Sequence, residues 1–433
     1  MARKETAFSL SDFGVTRHEE YLSNGTKVVL FERPGMPVAM RAHFLSGSRF
    51  DPPGLDGTAH HMEHMITAGS KRFPVKDKMA KYIERLGGGF GAATGKDALY
   101  VNVAFGNPAD IKKGMTVMSE IIRNPLFLPE TFKTEKGSIL EERKSRVSTP
   151  GGKLGEASSK LFFQGTDLDR SIIGSEESIN NITEEDIFNN YNTMLTSGRM
   201  VLVASGGITM NLLHRYAEKQ LLVPESEKVE LTQKQPVVRN EAVLIEKDAD
   251  ALATLLFGFR TAGIQSGDSP ALDVLSEVMG GGRAATLSRE LRYKRGLIYS
   301  VGCFSNEGID AGVWGVSCST SRENVQDVLN IIIKEVNRVT TKGLYKSELQ
   351  FAKDKAINSA PTNMASSSAW VSAHATEELV RQNEVYTISD YLGQMKSLTQ
   401  EDVRTVAQKY FQPGKWYLAM CGDIKAEDVQ VNY

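Results

Sequence analysis

The stretch Ile182-Thr183-Glu184-Glu185-Asp186-Ile187 decides the fold, because the chain contains it twice. It returns 216 residues later as Leu398-Thr399-Gln400-Glu401-Asp402-Val403. Each copy predicts a helix with a threonine N-cap and an acidic first turn. At the same offset, the apolar segments 198–208 and 414–424 each predict a buried strand that ends at glycine. The chain is therefore interpreted as two diverged copies of one domain.

Alternating strand and helix patterns in both halves predict an α+β fold. We expect each domain to be a mostly antiparallel sheet with helices packed on one face. A length of 433 residues suits two such domains. The polar, proline-containing segment from Val223 predicts boundaries at 1–222 for the first domain, 223–237 for a linker and 238–433 for the second domain. Near the start, Asn24-Gly25 predicts a hairpin turn.

Composition and charge exclude several classes of function. The formal net charge of −2 leaves no basic surface of the kind that binds nucleic acid. No apolar run approaches the roughly 18 residues of a membrane span. No apolar segment follows the early basic residues, so a secretory signal is not expected. Cys303, Cys318 and Cys421 are widely spaced and predict buried thiols in a reducing compartment.

The motif with the clearest chemistry is His60-His61-Met62-Glu63-His64, which reads H-x-x-E-H. On a helix, His60 and His64 share one face and could hold one zinc ion through neutral ring nitrogens. Glu63 lies on the same face, where it could deprotonate a water on the metal. His61 is rotated by about 100° and is expected to pack against neighbouring residues. The alternative interpretation is a polar helix face without metal.

A third ligand is expected from the acidic run 135–142. Glu135 and Glu142 are seven residues apart and share a helix face, whereas Glu141 points elsewhere. One of the pair could bind the metal while the other supports a ligand through a hydrogen bond. A solvated acidic helix without a ligand is the alternative.

Taken together, these motifs resemble the pitrilysin-type inverzincin family of zinc metallopeptidases, which includes mitochondrial processing peptidases and insulin-degrading enzymes. The likeness extends over nearly the whole chain. It implies a zinc-dependent endopeptidase that hydrolyses unfolded peptides or precursor segments, with one zinc ion per chain. It assigns His60, His64 and Glu142 as the metal ligands, Glu63 as the catalytic base and Glu135 as the supporting carboxylate.

The second half carries a segment similar to the family's R/Y motif, in which an arginine and a tyrosine reach the active site across a clamshell. The resemblance maps these roles onto Arg292 and Tyr299. A cation and a phenol are suitable donors for a developing oxyanion. Two homologous domains supply half of such a clamshell, so a second copy or a related subunit is expected as partner.

One departure from the family concerns its substrate-binding edge strand, which here reads Gly91-Ala92-Ala93-Thr94. The family usually has asparagine where this chain has Gly91. Relatives bind the substrate by adding it to this strand, so backbone hydrogen bonds supply affinity. How the substrate carbonyl is held is therefore open.

The family also offers a different class of function, since some members are non-catalytic scaffold or binding subunits of respiratory complexes. Such relatives typically lack an intact ligand set, which this chain retains. Small two-domain members are commonly prokaryotic, which predicts a cytoplasmic location. An organelle matrix is the alternative if a transit peptide has been removed.

Overall fold

The computed structural model describes residues 9–229, 231, 242–248, 252–381, 384–425, 427 and 429–433. Residues 230 and 232–237 of the predicted linker lie outside the described residues. The chain divides into two compact units. Unit 1 comprises Met1–Arg143, Arg170–Thr232 and Ser359–Tyr391, and unit 2 comprises Lys144–Asp169, Gln233–Asn358 and Leu392–Tyr433. Both units are discontinuous in sequence, whereas the predicted boundaries divide the chain into contiguous parts.

Eleven strands in the described part of the chain form two sheets. They are β1 (Thr16–Tyr21), β2 (Lys27–Glu32), β3 (Val38–Phe44), β4 (Gly89–Thr94), β5 (Leu99–Phe105), β6 (Met200–Gly206), β7 (Ala242–Glu246), β8 (Ala253–Ala262), β9 (Ile298–Glu307), β10 (Ala311–Thr320) and β11 (Trp416–Cys421). The first sheet has the order β1-β2-β6-β3-β5-β4 and the second has the order β7-β11-β8-β10-β9. One pair in each sheet is parallel, β2 with β6 and β7 with β11, and the other pairs are antiparallel.

The α-helices in the described residues are α1 (Thr58–Ala68), α2 (Lys76–Glu84), α3 (Ile111–Arg123), α4 (Pro129–Val147), α5 (Pro150–Phe163), α6 (Glu176–Asn181), α7 (Glu184–Met194), α8 (Met210–Gln220), α9 (Ser269–Gly280), α10 (Val325–Lys342), α11 (Lys346–Asn363), α12 (Ser367–Val380), α13 (Ile388–Ser397) and α14 (Gln400–Tyr410). A π-helical turn spans Ser288–Tyr293. No helix in the described ranges is long and apolar enough to cross a membrane.

The two sheets confirm the predicted duplication of an α+β domain. Without β1, the first sheet has the strand order of the second, and each sheet keeps its single parallel pair in the same place. The repeated helices α7 and α14 begin with the same capping box, in which Thr183 pairs with Asp186 and Thr399 pairs with Asp402. The predicted hairpin also forms, with Gly25 at a φ of 79° between β1 and β2.

Each sheet is covered on both faces, because the two halves of the sequence exchange a helix. On β6, the side chains of Val201 and Val203 pack with Trp370 of α12. On β11, Ala419 packs with Leu154 of α5. Helices on one face were predicted, and these exchanged helices add the cover on the opposite face. The all-buried pattern of both strands follows, since a strand covered on two sides has no polar face.

The helices around the sheets also repeat. Helices α4 and α11 start 217 residues apart, and so do the exchanged helices α5 and α12. Helix α1 follows β3 in the first half, and α9 follows β8 in the second. The duplicated scaffold therefore offers each half two equivalent helices, of which α1 and α4 carry the H-x-x-E-H motif and the acidic run.

Candidate metal centre

Helix α1 presents the two histidines of the motif side by side. It begins after Gly57, whose φ of 100° is a backbone conformation suited to glycine. One helical turn separates His60 from His64, and their ring centroids are 4.8 Å apart with the planes at 74°. Met62, Met65 and other apolar residues on the opposite side of α1 are buried in the core, which fixes the helix.

Helix α4 brings a carboxylate to the same point. Oε2 of Glu142 lies 3.7 Å from Nε2 of His60 and 3.7 Å from Nε2 of His64. One potential ligand atom from each of the three residues lies within 4.8 Å of the others. Within the residues that the structure describes, this is the one group of three or more such side chains that could hold a metal ion.

Glu135 supports the second histidine from one side. Its Oε2 lies 2.8 Å from Nδ1 of His64. A neutral imidazole that donates its Nδ1–H to this carboxylate leaves the lone pair on Nε2, the atom that faces Glu142. The sequence left either Glu135 or Glu142 as ligand, and the geometry separates them, since Glu142 approaches both histidines and Glu135 approaches only His64.

The donor set fits a zinc ion. Ligand atoms around one tetrahedral zinc lie about 3.3 Å apart, because each metal–ligand bond is about 2.0–2.1 Å long. The two separations of 3.7 Å between Glu142 and the histidines are close to this value, and all three ligand atoms lie within 4.8 Å of one another. Two imidazole nitrogens and one carboxylate oxygen match the ligands of catalytic zinc sites, which leave a fourth position open. Glu142 has a side-chain exposure of 48%, so water can reach the site.

Glu63 lies beside the histidines and has a defined orientation. Its Oε2 accepts a hydrogen bond of 2.7 Å from the hydroxyl of Thr94 on β4. Burial raises the pKa of Glu63 above its ordinary value, although the Thr94 hydrogen bond acts in the opposite direction. A carboxyl whose pKa is raised in this way is better suited to accept and return a proton near neutral pH.

His61 faces away from the candidate site, as its helical position indicates. Its ring stacks on Phe132, with centroids 4.7 Å apart and planes 9° from parallel. Burial lowers the pKa of His61 to about 3, so the ring is neutral. It therefore packs α1 against α4 rather than binding the metal.

The segment Gly91-Ala92-Ala93-Thr94 belongs to β4, which is the last strand of its sheet. Only β5 pairs with β4 among the described strands, so the outer edge is open. A cleft of about 350 Å³ runs along this strand. Its lining includes Glu63, Thr67 and Ile83, with Lys76 and Glu84 as further charged groups. A Cβ atom at Gly91 would meet no atom within 4 Å.

The start of α1 is held by Asp51 and Arg170, which belong to none of the sequence motifs. Buried Asp51 accepts hydrogen bonds of 2.8 Å from the backbone N–H groups of Gly57 and Ala59. The guanidinium of Arg170 donates to the backbone carbonyls of Arg49 and Asp51. An Asp six residues before a glycine-started helix was the available signal for Asp51, but no sequence pattern identifies Arg170 as its neighbour.

Arg292 and Tyr299 belong to unit 2, outside the unit that contains the histidines. Arg292 lies on the π-helical turn, and Tyr299 is the second residue of β9. The guanidinium carbon of Arg292 is 4.9 Å from the centroid of the Tyr299 ring. The Tyr299 side chain is 81% exposed, which leaves it accessible to a ligand or a partner.

Two models of one family match this chain in succession. The model described as insulinase, peptidase family M16, matches residues 28–176, which include the three candidate ligands. The model described as the peptidase M16 inactive domain matches residues 181–356, which include Arg292 and Tyr299. The chain belongs to peptidase family M16. The resemblance found in the sequence is thereby confirmed.

Relatives in this family carry the names of peptidases. An uncharacterized zinc protease of Streptomyces coelicolor is 27% identical over 400 residues, covering 89% of this chain and 85% of that protein. The mitochondrial-processing peptidase subunit beta of Lentinula edodes is 24% identical over 420 residues, covering 93% of this chain and 89% of that protein. The relatives of this M16 member thus include proteins named as a zinc protease and as a subunit of a processing peptidase.

Solved structures show the same fold. A protease from Helicobacter pylori has a TM-score of 0.87 at 21% identity, over 94% of this chain and 99% of that chain. A peptidase M16 inactive domain from Pseudomonas fluorescens has a TM-score of 0.87 at 19% identity, over 95% of this chain and 98% of that chain. Two α+β units of this topology are thus shared across sequences of low identity.

Proposed function

We propose that this protein is a zinc-dependent endopeptidase that hydrolyses unfolded peptides or precursor segments. The observation that carries the proposal is the convergence of His60, His64 and Glu142 within 4.8 Å, next to Glu63. A zinc ion held by these three side chains would supply Lewis-acid chemistry for polarising the scissile carbonyl and activating a water molecule. Family membership and relatives named zinc proteases support this reaction class.

Glu63 is the catalytic base of the proposed reaction. Thr94 occupies Oε2 of its carboxylate, which leaves Oε1 to take the proton of the attacking water. The same oxygen returns the proton to the departing amine when the peptide bond breaks. Glu135 keeps the Nδ1 proton of His64 in place, so that the Nε2 lone pair stays directed at the site.

The substrate adds to the open edge of β4 as a further strand. Backbone N–H and C=O groups along this edge supply the binding hydrogen bonds, so the mode suits extended peptides rather than folded proteins. The cleft beside Glu63 receives a substrate side chain, with Ile83 as apolar lining and Lys76 and Glu84 as charged lining. This mode does not require an asparagine at position 91, because the backbone supplies the hydrogen bonds.

Arg292 and Tyr299 donate to the oxyanion that develops at the scissile carbonyl. In the proposed assembly they act in a site completed by a second copy of the chain or by a related subunit, which together enclose a chamber. The relative named as a beta subunit belongs to an enzyme of more than one subunit, which supports a paired arrangement. A cytoplasmic location remains our prediction, and cell fractionation tests it.

Cleavage of an unstructured fluorogenic peptide tests the function. We expect activity that a chelator abolishes, that zinc restores and that Glu63→Gln lacks. The Glu63→Gln protein must still bind zinc, since Glu63 is not a ligand. A wild-type protein that binds no zinc and cleaves no peptide would contradict the proposal and favour the alternative, a non-catalytic scaffold subunit. The complete donor set argues against that alternative.

A mixing experiment tests the paired arrangement. Glu63→Gln removes the base from one chain and Arg292→Ala removes the oxyanion donor from another. If Arg292 acts in the site of its partner, mixed dimers contain one intact site and recover part of the wild-type activity. No recovery in dimers shown by mass spectrometry to be mixed would rule out the arrangement between chains.

A further inference from the structure

Helix α4 brings Glu142 to the histidines although little of the helix is buried. Ile139 is the one buried residue of α4, and it packs with Ile173 and Ile179. Two half-buried side chains of α4 add to this contact, since Leu140 packs beside Ile139 and Phe132 stacks on His61. Because most of α4 is exposed, its polar contacts act together with these few apolar contacts in placing Glu142.

One of these contacts belongs to the duplicated scaffold. Nζ of Lys136 donates to the backbone carbonyls of Asn180, at 3.1 Å, and Ile182, at 2.8 Å. At the equivalent place in unit 2, Nζ of Lys353 on α11 donates to the carbonyls of Lys396 and Leu398. Position 359 on α11, the counterpart of Glu142, is a serine. The lysine contact is thus present with and without a metal ligand.

A second contact is found only in the half that has the histidines. Nη1 of Arg143, the residue directly after Glu142, donates to the backbone carbonyl of Gly174. The residue 217 positions later is Ala360, whose methyl group cannot donate a hydrogen bond. Comparison of the repeats therefore separates a shared structural contact from one that accompanies the metal ligands.

The loop that accepts this hydrogen bond also contacts the start of α1. Gly174 has a φ of 86°, and a Cβ atom there would lie 2.2 Å from the carbonyl oxygen of Asp56. A Cβ atom at Gly57 would lie 2.6 Å from the carbonyl oxygen of Ile173. The hydroxyl of Ser178 donates to the Asp56 carbonyl at 2.8 Å. One stretch of backbone thus fits closely against the first turn of the histidine helix and binds the residue next to Glu142.

We propose that Arg143 is a positioning residue that sets the zinc affinity of the site. By binding the Gly174 carbonyl, it ties the end of α4 to the loop that contacts the start of α1, so that Glu142 is held opposite His60 and His64. This inference rests on the proposed zinc function. Groups that orient a metal ligand from behind typically change metal affinity by about 10–100-fold.

The experiment measures zinc binding without substrate. Wild type, Arg143→Met and the control Arg146→Met compete with a chromophoric chelator for zinc, and their cobalt-substituted forms are compared by visible absorption. Arg146 is an exposed arginine on the same helix with no hydrogen bond or ion pair from its side chain within the described structure. We expect Arg143→Met to bind zinc about 10–100-fold more weakly with an altered cobalt spectrum, and Arg146→Met to match wild type.

A double-mutant cycle shows whether Arg143 acts through Glu142. In a Glu142→Ala background, Arg143→Met should cause no further loss of zinc affinity. Tyr191→Phe, which removes a hydrogen bond between Tyr191 and the Ile122 carbonyl, controls for general weakening of unit 1 and should bind zinc as wild type does. If Arg143→Met does not fold, Arg143→Gln takes its place in each comparison.

Two results would overturn the inference. One is wild-type zinc affinity and spectrum in the Arg143 variant, and the other is an equal loss of affinity with and without Glu142. Neither result affects the proposed function, which fails instead if the wild-type protein binds no zinc.

Discussion

The helix pair α1 and α4 and its counterpart α9 and α11 occupy equivalent places in a duplicated scaffold, yet only the first pair carries a candidate metal site. Helix α9 is almost wholly apolar on its buried side and has no histidine. The seven histidines all lie in segments of unit 1, and the segments of unit 2 contain none. Both halves share the sheet order, and in both a lysine on α4 or α11 donates to backbone carbonyls. The scaffold therefore forms without the site, and the site is an addition to it.

The strongest test of this difference removes the carboxylate beside the histidines. Glu63→Gln should reduce peptide cleavage by about 10³-fold, because a positioned base contributes on that scale. The matched control is Glu277→Gln on α9, whose carboxylate pairs with Lys355 at 2.6 Å, and it should retain activity. Steady-state kinetics with one fluorogenic peptide measure both. Comparable losses of peptide cleavage in the two variants would contradict the account that only the first half carries the catalytic site.

Removing the shared lysine contact should lower the stability of the protein equally in either half, but it should lower zinc affinity only in the first half. Lys136→Met and Lys353→Met should each lower the free energy of unfolding by about 2 kcal/mol, because each removes charge-assisted hydrogen bonds to backbone carbonyls. Chemical denaturation of the metal-free variants measures this. Zinc affinity should fall only in Lys136→Met, since Lys136 lies on the helix that carries Glu142. A similar fall in Lys353→Met would weaken the distinction between the halves.

Acid should destabilise unit 1 through a buried histidine that unit 2 lacks. Burial lowers the pKa of His43 to about 3, whereas the unfolded chain keeps the ordinary value of 6.5. As pH falls below 6.5 the unfolded state takes up a proton that the folded state does not, so stability decreases towards pH 3. At pH 5.5 this amounts to roughly 1 kcal/mol.

Hydrogen exchange of the metal-free protein at pH 7 and pH 5.5 reports the two units separately. The variant His43→Phe keeps the ring volume beside Tyr100 and removes the titrating group. It should show a smaller loss of protection in unit 1 than wild type. An unchanged loss would mean that other groups cause the acid response.

The smallest expected effect concerns Gly91 on the edge strand. A Cβ atom there meets no atom within 4 Å and points into open space, so we expect Gly91→Asn and the control Gly91→Ala both to fold with wild-type stability. Backbone hydrogen bonds carry substrate binding in this account, so kcat/KM for Gly91→Asn should change by less than about 10-fold relative to Gly91→Ala. A larger gain would show that the amide holds the substrate carbonyl and that this chain lacks that contact.

The sequence predicts the parts of this molecule that repeat or follow helical periodicity. Thr183 and Thr399 begin equivalent helices as their repeated stretches indicate, and His60 and His64 share a face because they are four residues apart. The seven-residue spacing also directs Glu135 and Glu142 to one side of α4. These features depend on local geometry, which is set by residues that are close together in the sequence.

The remaining features depend on contacts between distant segments. The apolar faces of α5 and α12 do not specify which sheet each helix covers, so the exchange between halves has no sequence signal. The Thr94 hydroxyl reaches Glu63 across 31 positions, and Arg143 reaches the Gly174 carbonyl across 31 positions. Only the folded chain brings these groups together. The motifs thus predicted the candidate ligands and the supporting carboxylate Glu135, whereas the contacts of Thr94 with Glu63 and of Arg143 with Gly174 had no sequence signal.

The central claim is that a metal held by His60, His64 and Glu142 is required for peptide hydrolysis. The most direct measurement titrates zinc into the metal-free protein while recording both bound metal and peptide cleavage. The account predicts that cleavage rises with zinc and reaches its plateau at one ion per chain, and that His60→Ala and Glu142→Ala lose tight binding and activity together. Full cleavage by the metal-free protein, or tight zinc binding that persists in both variants, would contradict it.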